Sequence, residues 1–268
     1  MSNEFDMDAV PSLTLEPELE EKPELTVKEE TAPAAEPIQQ PVLTEQEQKT
    51  YYAYLQSVRD KLGQEDSKLQ ILAALTHLRQ ICCDPHLCFE NYDGPASKLD
   101  ACLELCEAMT ENGHQILLFS QFTTMLERIR ERLDAAGITS FTLQGSTSKE
   151  KRARMVKDFQ AGKASVFLIS LKAGGTGLNL TKADVVIHYD PWWNQAAQDQ
   201  ATDRAHRMGQ HACVQVYKLI AKDTIEEKIL NLQSKKAALL DAVSEGGETG
   251  ILDMSREELL ALLDVGKS

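Results

Sequence analysis

SVFLISLKAGGTGLNLTKADVVIHYD, Ser165 to Asp190, sets two short apolar runs, SVFLIS and DVVIHYD, on either side of a glycine-rich loop. Runs this short and this continuously apolar are strands buried on both faces, the pattern of a parallel sheet covered by helices. Three glycines in four positions, Gly174, Gly175 and Gly177, let the backbone approach a ligand or turn through positive φ, and Lys172 adds a charge. The loop is not a dinucleotide fingerprint, because no third glycine follows in register. GxxxxGK[ST] does not occur in the chain either.

The alternation continues on both sides. A helix from about Ser97 precedes the strand QILLFS (Gln115 to Ser120), and the next helix carries Phe122, Met125, Leu126, Ile129 and Leu133 on one stripe and stops at Gly137. The strand ITSFTL, a helix from about Ser148 to Phe159, and the strand VQVYKLI (Val214 to Ile220) complete the set. The expected fold is α/β, a parallel sheet with helices on both faces, and ligands belong at the carboxyl ends of its strands.

Residues 1–41 hold six of the nine prolines, eleven acidic and two basic side chains, and no aromatic beyond Phe5. That composition buries too little apolar area to offset chain entropy and reads as a disordered acidic tail. It accounts for -9 of the formal charge of -14, so the remainder is mildly acidic and still holds basic clusters such as KEKRAR (Lys149 to Arg154). Residues 42–94 turn helical, with Ile71, Leu75, Leu78 and Ile81 at threes and fours, and 95–222 form the α/β lobe. Residues 223–268 supply bracing helices, where Thr224 with Glu227 and Ser255 with Glu258 read as capping boxes. The six cysteines are no disulfide framework, and CCDPHLC (Cys82 to Cys88) lacks a paired CxxC, so no metal is expected. No run of eighteen apolar residues and no secretory leader is present, so no membrane partner and a cytoplasmic location are expected.

Besides the glycine-rich loop from Ser170 to Leu180, two loops and one helix fall where such a sheet places a site. Ser120 and Gln121, just past a strand, either hold a phosphate oxygen or cap the strand end. Gly145, Ser146 and Thr147 precede a helix with basic first turns, a natural phosphate site, or else Thr147 or Ser148 is an ordinary N-cap. In DQATDRAHRMGQ (Asp199 to Gln210), Gln200, Arg204 and Arg207 fall at i, i+4 and i+7 on one helix face, with Ala201 and Ala205 inward. An isolated arginine pair on a helix is usually a solvated face. The glycine loop before it and the strand end at Asp190 shift the balance toward a triphosphate clamp.

The order QILLFSQF, LQGSTSKEKR, VFLISLKAGGTGLNLTKADVVIHYDPWWN, DQATDRAHRMGQ resembles the second, C-terminal RecA-like lobe of Swi/Snf-type ATPases in the bacterial branch of superfamily-two helicases. The resemblance covers about Ser97 to Val243, and residues 42–94 resemble the segment linking the two lobes. It implies a RecA-like fold, a DNA-dependent ATPase that translocates on double-stranded DNA, and ATP with Mg²⁺ bound mainly by the first, N-terminal ATPase lobe, supplied in cis or in trans. Arg204 and Arg207 would be arginine fingers, with Gly177, Asn179 and Gln200 near the nucleotide. Ser120, Gln121, Gly145, Ser146, Thr147, Ser170, Lys172, Gly174 and Thr176 would meet the DNA backbone. Asp84, Gln144 and Gln195 depart from the usual histidine, aspartate and proline of that pattern. Without a Walker A loop this chain is expected not to hydrolyse ATP alone, and the alternative is a non-catalytic DNA-binding module that keeps the fold.

Overall fold

The computed structural model describes residues 37–62, 67–174, 178–203, 205, 214–242 and 254–264. Among the described residues, six strands, all pairing parallel, stand in the order β1-β6-β5-β2-β4-β3: β1 (Ile38–Gln39), β2 (Ile116–Ser120), β3 (Ser140–Leu143), β4 (Val166–Ser170), β5 (Val185–His188) and β6 (Gln215–Leu219). Every residue of β2, β4 and β5 is buried, as their unbroken apolar runs require. Alternation then divides the core. Ile116, Leu118, Val166, Leu168, Val185 and Ile187 meet α3 (Ser97–Glu111) and α4 (Thr123–Ala135) on one face. Leu117, Phe119, Phe167, Ile169 and Val186 meet Met155 and Phe159 of α5 (Lys149–Gln160), together with Ala201 and Ala205, on the other. This is the RecA-like layering, and Leu99, Cys102, Leu103 and Cys106 lie buried on one stripe of α3.

The disordered-tail boundary at residue 41 needs correction. Residues 1–36 lie outside the described residues, but Ile38 and Gln39 form an edge strand beside β6. Carbonyls of Pro37, Gln39 and Pro41 accept from Lys218, Ile220 and Lys222 amides at 3.4, 2.9 and 3.1 Å. A proline facing its neighbour accepts a hydrogen bond but has no N–H to donate, so it is tolerated at an edge and limits the strand to two residues.

A third core joins α1 (Glu45–Lys61) and α2 (Lys68–Cys83) to α8 (Ile225–Ala242) and α9 (Arg256–Leu263). Thr44 with Glu47, Ser67 with Gln70, and Ser255 with Glu258 form full capping boxes. Thr224 and Glu227 do not. The Thr224 hydroxyl accepts from Glu226 N at 3.2 Å and donates to Ala221 O, while the Glu227 carboxylate accepts from Asp223 N at 3.1 Å. Asp223 has φ +58°, and this left-handed turn presents its own amide, not that of Thr224, to Glu227. The last carbonyls of α9 are met by cations, Leu263 O by Arg59 Nε and Leu262 O by Lys228 Nζ, each at 2.9 Å.

The lobe is tied to these bracing helices by a buried ion pair. Lys98 on α3 donates to both Glu226 oxygens at 2.6 and 2.5 Å, the Glu226 carboxylate also accepts from Ala221 N at 2.8 Å, and Tyr189 lies under the ammonium at 5.2 Å. Burial lowers the ammonium's proton affinity, and the adjoining carboxylate more than offsets it, leaving Lys98 above the ordinary lysine range.

Gly137 ends α4 at φ +73° with open space where a Cβ would sit. Gly137→Ala therefore isolates the backbone penalty, expected at about 1–2 kcal/mol. A thermal melt should show a drop of about 2–4 °C per kcal/mol, and an unchanged Tm would refute the assignment.

Candidate nucleotide and DNA face

The chain passes from β4 to β5 across β2, so the carboxyl ends of these strands border the crevice where open α/β sheets bind ligands. Ser120 and Ser170 are register partners at the ends of β2 and β4. Ser120 is fully buried: its hydroxyl donates to Asp190 Oδ1 at 2.5 Å and accepts from Phe122 N at 3.1 Å. The expectation that Ser120 grips a DNA phosphate is corrected here, because both roles of the hydroxyl are spent inside the fold. Ser170 is also buried, with its hydroxyl unpartnered among the described residues.

Gln121 stands in the next shell out. Its backbone amide donates to Asp190, and its Oε1 accepts from Arg79 Nη1 at 2.7 Å, leaving Nε2 a buried donor without a partner among the described residues. Arg79, on α2, was not singled out in the sequence. It is 1% exposed, donates through Nη2 to Pro191 O, approaches Asp190 Oδ2 at 3.7 Å, and lies 5.0 Å from the Trp193 ring centre and 5.7 Å from that of Phe122. Burial lowers its guanidinium from the usual range, with Asp190 pulling the other way. Asp84, the departure from histidine, is a buried acceptor for Arg128 Nε and His86 Nδ1, each at 2.6 Å.

After β3, Gly145 and Ser146 are exposed. Ser148, not Thr147, caps α5, accepting from Lys151 N at 3.3 Å, while Thr147 Oγ1 accepts from Gln144 N at 3.1 Å. Ser146, Thr147 and Ser148 border an open pocket of about 360 Å³ together with Thr142, Gln144, Glu127, Arg130 and Lys151.

β4 runs into a one-turn helix, α6 (Leu171–Gly174), instead of opening at once into a loop. The side chain of Lys172, and Thr176 and Gly177 entirely, lie outside the described residues, and Gly174 is described only as the last residue of α6. Asn179 is exposed, with its carbonyl accepting from Gln160 Nε2 at 3.2 Å.

α7 (Gln195–Thr202) follows β5. Gln200 is exposed on it, and Ala201 and Ala205 are buried. The helix is described as far as Thr202, and the expected continuation of its face through Arg204 and Arg207 lies outside the described residues. The buried glutamine of this helix is Gln198, whose Oε1 accepts from Trp192 N at 3.3 Å and from Gln233 Nε2 at 2.8 Å. Three positions before Ala201, it shares the inward stripe, a signal available in the sequence. His188, stacked on Phe119, meets Thr202 Oγ1 at 3.0 Å; burial and the Lys218 charge push it down to about 3, so it is neutral at physiological pH.

Residues 97–209 match the model of the helicase conserved C-terminal domain. With 29% identity, 86% of this chain superimposes on 98% of the Sulfolobus solfataricus SWI2/SNF2 ATPase C-terminal domain, at a TM-score of 0.68. Residues 97–209 belong to the helicase C-terminal domain family, of the SWI2/SNF2 type. The S. solfataricus SWI2/SNF2 ATPase core in complex with dsDNA is 32% identical over 86% of this chain and 50% of its own, with a TM-score of 0.68. Among sequences, an "Uncharacterized ATP-dependent helicase" of Mycoplasma pneumoniae is 39% identical over 205 residues, 75% of this chain. That match spans only 20% of the relative, so the chain corresponds to about a fifth of such proteins.

Proposed function

We propose that this chain serves as the trailing lobe of a double-stranded-DNA translocase that hydrolyses ATP with Mg²⁺ bound mainly on a first lobe. Arg204 and Arg207 reach the γ-phosphate from across the cleft, and Gly177, Asn179 and Gln200 line the nucleotide side. Gln121, Gly145, Ser146, Thr147, Lys172, Gly174 and Thr176 meet the DNA backbone, giving grip without reading bases, while the buried Ser170 hydroxyl, like that of Ser120, stays inside the fold. ATP closes the two lobes and hydrolysis reopens them, so that alternating grips move the protein along the duplex. One observation carries the DNA assignment: exposed Ser146, next to exposed Gly145, shares an open pocket with Lys151 and Arg130 after β3, in a lobe whose structural relative was solved with dsDNA.

Titrating the full chain with a duplex at several salt concentrations tests this. Affinity should fall linearly in logarithmic coordinates, and Arg130→Ala with Lys151→Ala should make the slope shallower by roughly 2, since each neutralised phosphate contributes roughly 0.9. Salt-insensitive binding, or an unchanged slope in the double variant, defeats the assignment.

A further inference from the structure

The loop from Asp190 to Asn194 leads into α7, whose N-cap Asn194 makes no side-chain capping bond. Its backbone is held from outside the sheet instead. Arg79 of α2 donates to Pro191 O, and Gln233 of α8 donates to Trp192 O and to Gln198 Oε1. Two successive carbonyls are thus gripped by two helices lying on opposite sides of the lobe in the chain, one before it and one after. Arg79, Gln198 and Gln233 are all at least 96% buried.

Stability alone does not account for an arginine here. Among the described residues, the one carboxylate paired with Arg79 is Asp190, which is 3.7 Å away and already engages Ser120 Oγ and Gln121 N, and Arg79 Nε has no partner. Removing a guanidinium from water costs several kcal/mol, and an apolar residue of similar volume fills such a space at less cost. The fork adds direction: one arm on Gln121 after β2, the other on Pro191 after β5, with its central carbon over the Trp193 ring.

We propose that Arg79 and Gln233 are positioning residues that fix the Pro191–Trp193 loop and thereby the pose of α7, coupling the helices flanking the lobe to the segment that enters Arg204 and Arg207. The consequence for catalysis rests on the nucleotide role proposed above; the coupling itself does not.

Amide hydrogen exchange of the full chain, without DNA or nucleotide, is the test. In Arg79→Met, Arg79→Lys and Gln233→Met, amides of Gln195–Thr202 should exchange at least tenfold faster, while β2 and α3 stay within about twofold of the parent. Arg79→Lys should not restore protection, because an ammonium cannot span both acceptors. With Trp192→Phe leaving Trp193 the sole tryptophan, its emission should become more quenchable by iodide in the Arg79 variants, which alter the group over its ring. Unchanged exchange in α7, or equal acceleration across the whole lobe in all three variants, would overturn the proposal. Because no ligand is present, that result stands apart from any failure of the duplex titration.

Discussion

Lys98→Met is expected to lower unfolding free energy by about 3–5 kcal/mol, since it strands the Glu226 carboxylate in the core with only one backbone donor. The rest of the carboxylate's coordination comes from the ammonium, which contacts both oxygens. Adding Glu226→Gln should recover most of the loss: the charge disappears, while the amide oxygen still accepts from Ala221 N. Denaturant melts of the four proteins form a double-mutant cycle, and a double variant as unstable as Lys98→Met refutes the pairing. The pH dependence gives an independent check. Burial already raises the Glu226 pKa above the ordinary range, with Lys98 opposing it, and removing Lys98 raises it further. The folded variant then holds a proton that the unfolded chain has released. Its stability is therefore greatest below the ordinary glutamate range and falls as pH rises toward the elevated folded value. The deficit of Lys98→Met should shrink on acidification, and a pH-independent deficit would count against a stranded carboxylate.

The same pair shows why part of the molecule was legible in the sequence and part was not. Strands β2, β4 and β5 are apolar on both faces, so a run of four or five buried residues announces each without knowledge of its neighbours. Caps are similarly local. Ser255 with Glu258 closes as its spacing implies, whereas Thr224 with Glu227 fails because the left-handed Asp223 before it changes which amide is presented. Strand β1 lies in the three residues between Pro37 and Pro41, and only β6, some 180 positions along, distinguishes it from a tail. Arg79, Lys98 and Glu226 are buried charges, each next to a buried apolar residue, Leu78, Leu99 and Ile225. A charge on a buried stripe demands a partner, but local spacing does not say that Lys98 meets a residue 128 positions away, or that Arg79 reaches Gln121 and Pro191. Among the candidate site residues the division is between exposed and enclosed. Gly145, Ser146, Asn179 and Gln200 are open to a ligand, while Ser120 is turned inward by Asp190, which caps it from the neighbouring strand end.

Arg207→Ala is expected to lower DNA-stimulated phosphate release by about 10³- to 10⁵-fold when the chain is assayed with a first lobe carrying a Walker A lysine. The size follows from where the charge sits. As the γ-phosphoryl group transfers, negative charge spreads over oxygens that the ground state leaves less exposed to the guanidinium, so the loss belongs to the transition state. The fall should appear in kcat, with KM for ATP little changed, because the first lobe and Mg²⁺ supply most of the nucleotide affinity. Lysine at the same position should not rescue, since a point charge cannot replace a planar fork. If Arg204 and Arg207 act on the same phosphate as a unit, Arg204→Ala with Arg207→Ala should be no slower than the worse single variant. Multiplicative losses would place the two arginines in separate roles, with Arg204 outside the clamp. Turnover of Arg207→Ala within about tenfold of the parent would remove the arginine-finger assignment altogether. The surviving reading would then be a lobe that grips duplex DNA without completing an ATPase site, and it would have to stand on the salt dependence of Lys151 and Arg130 alone.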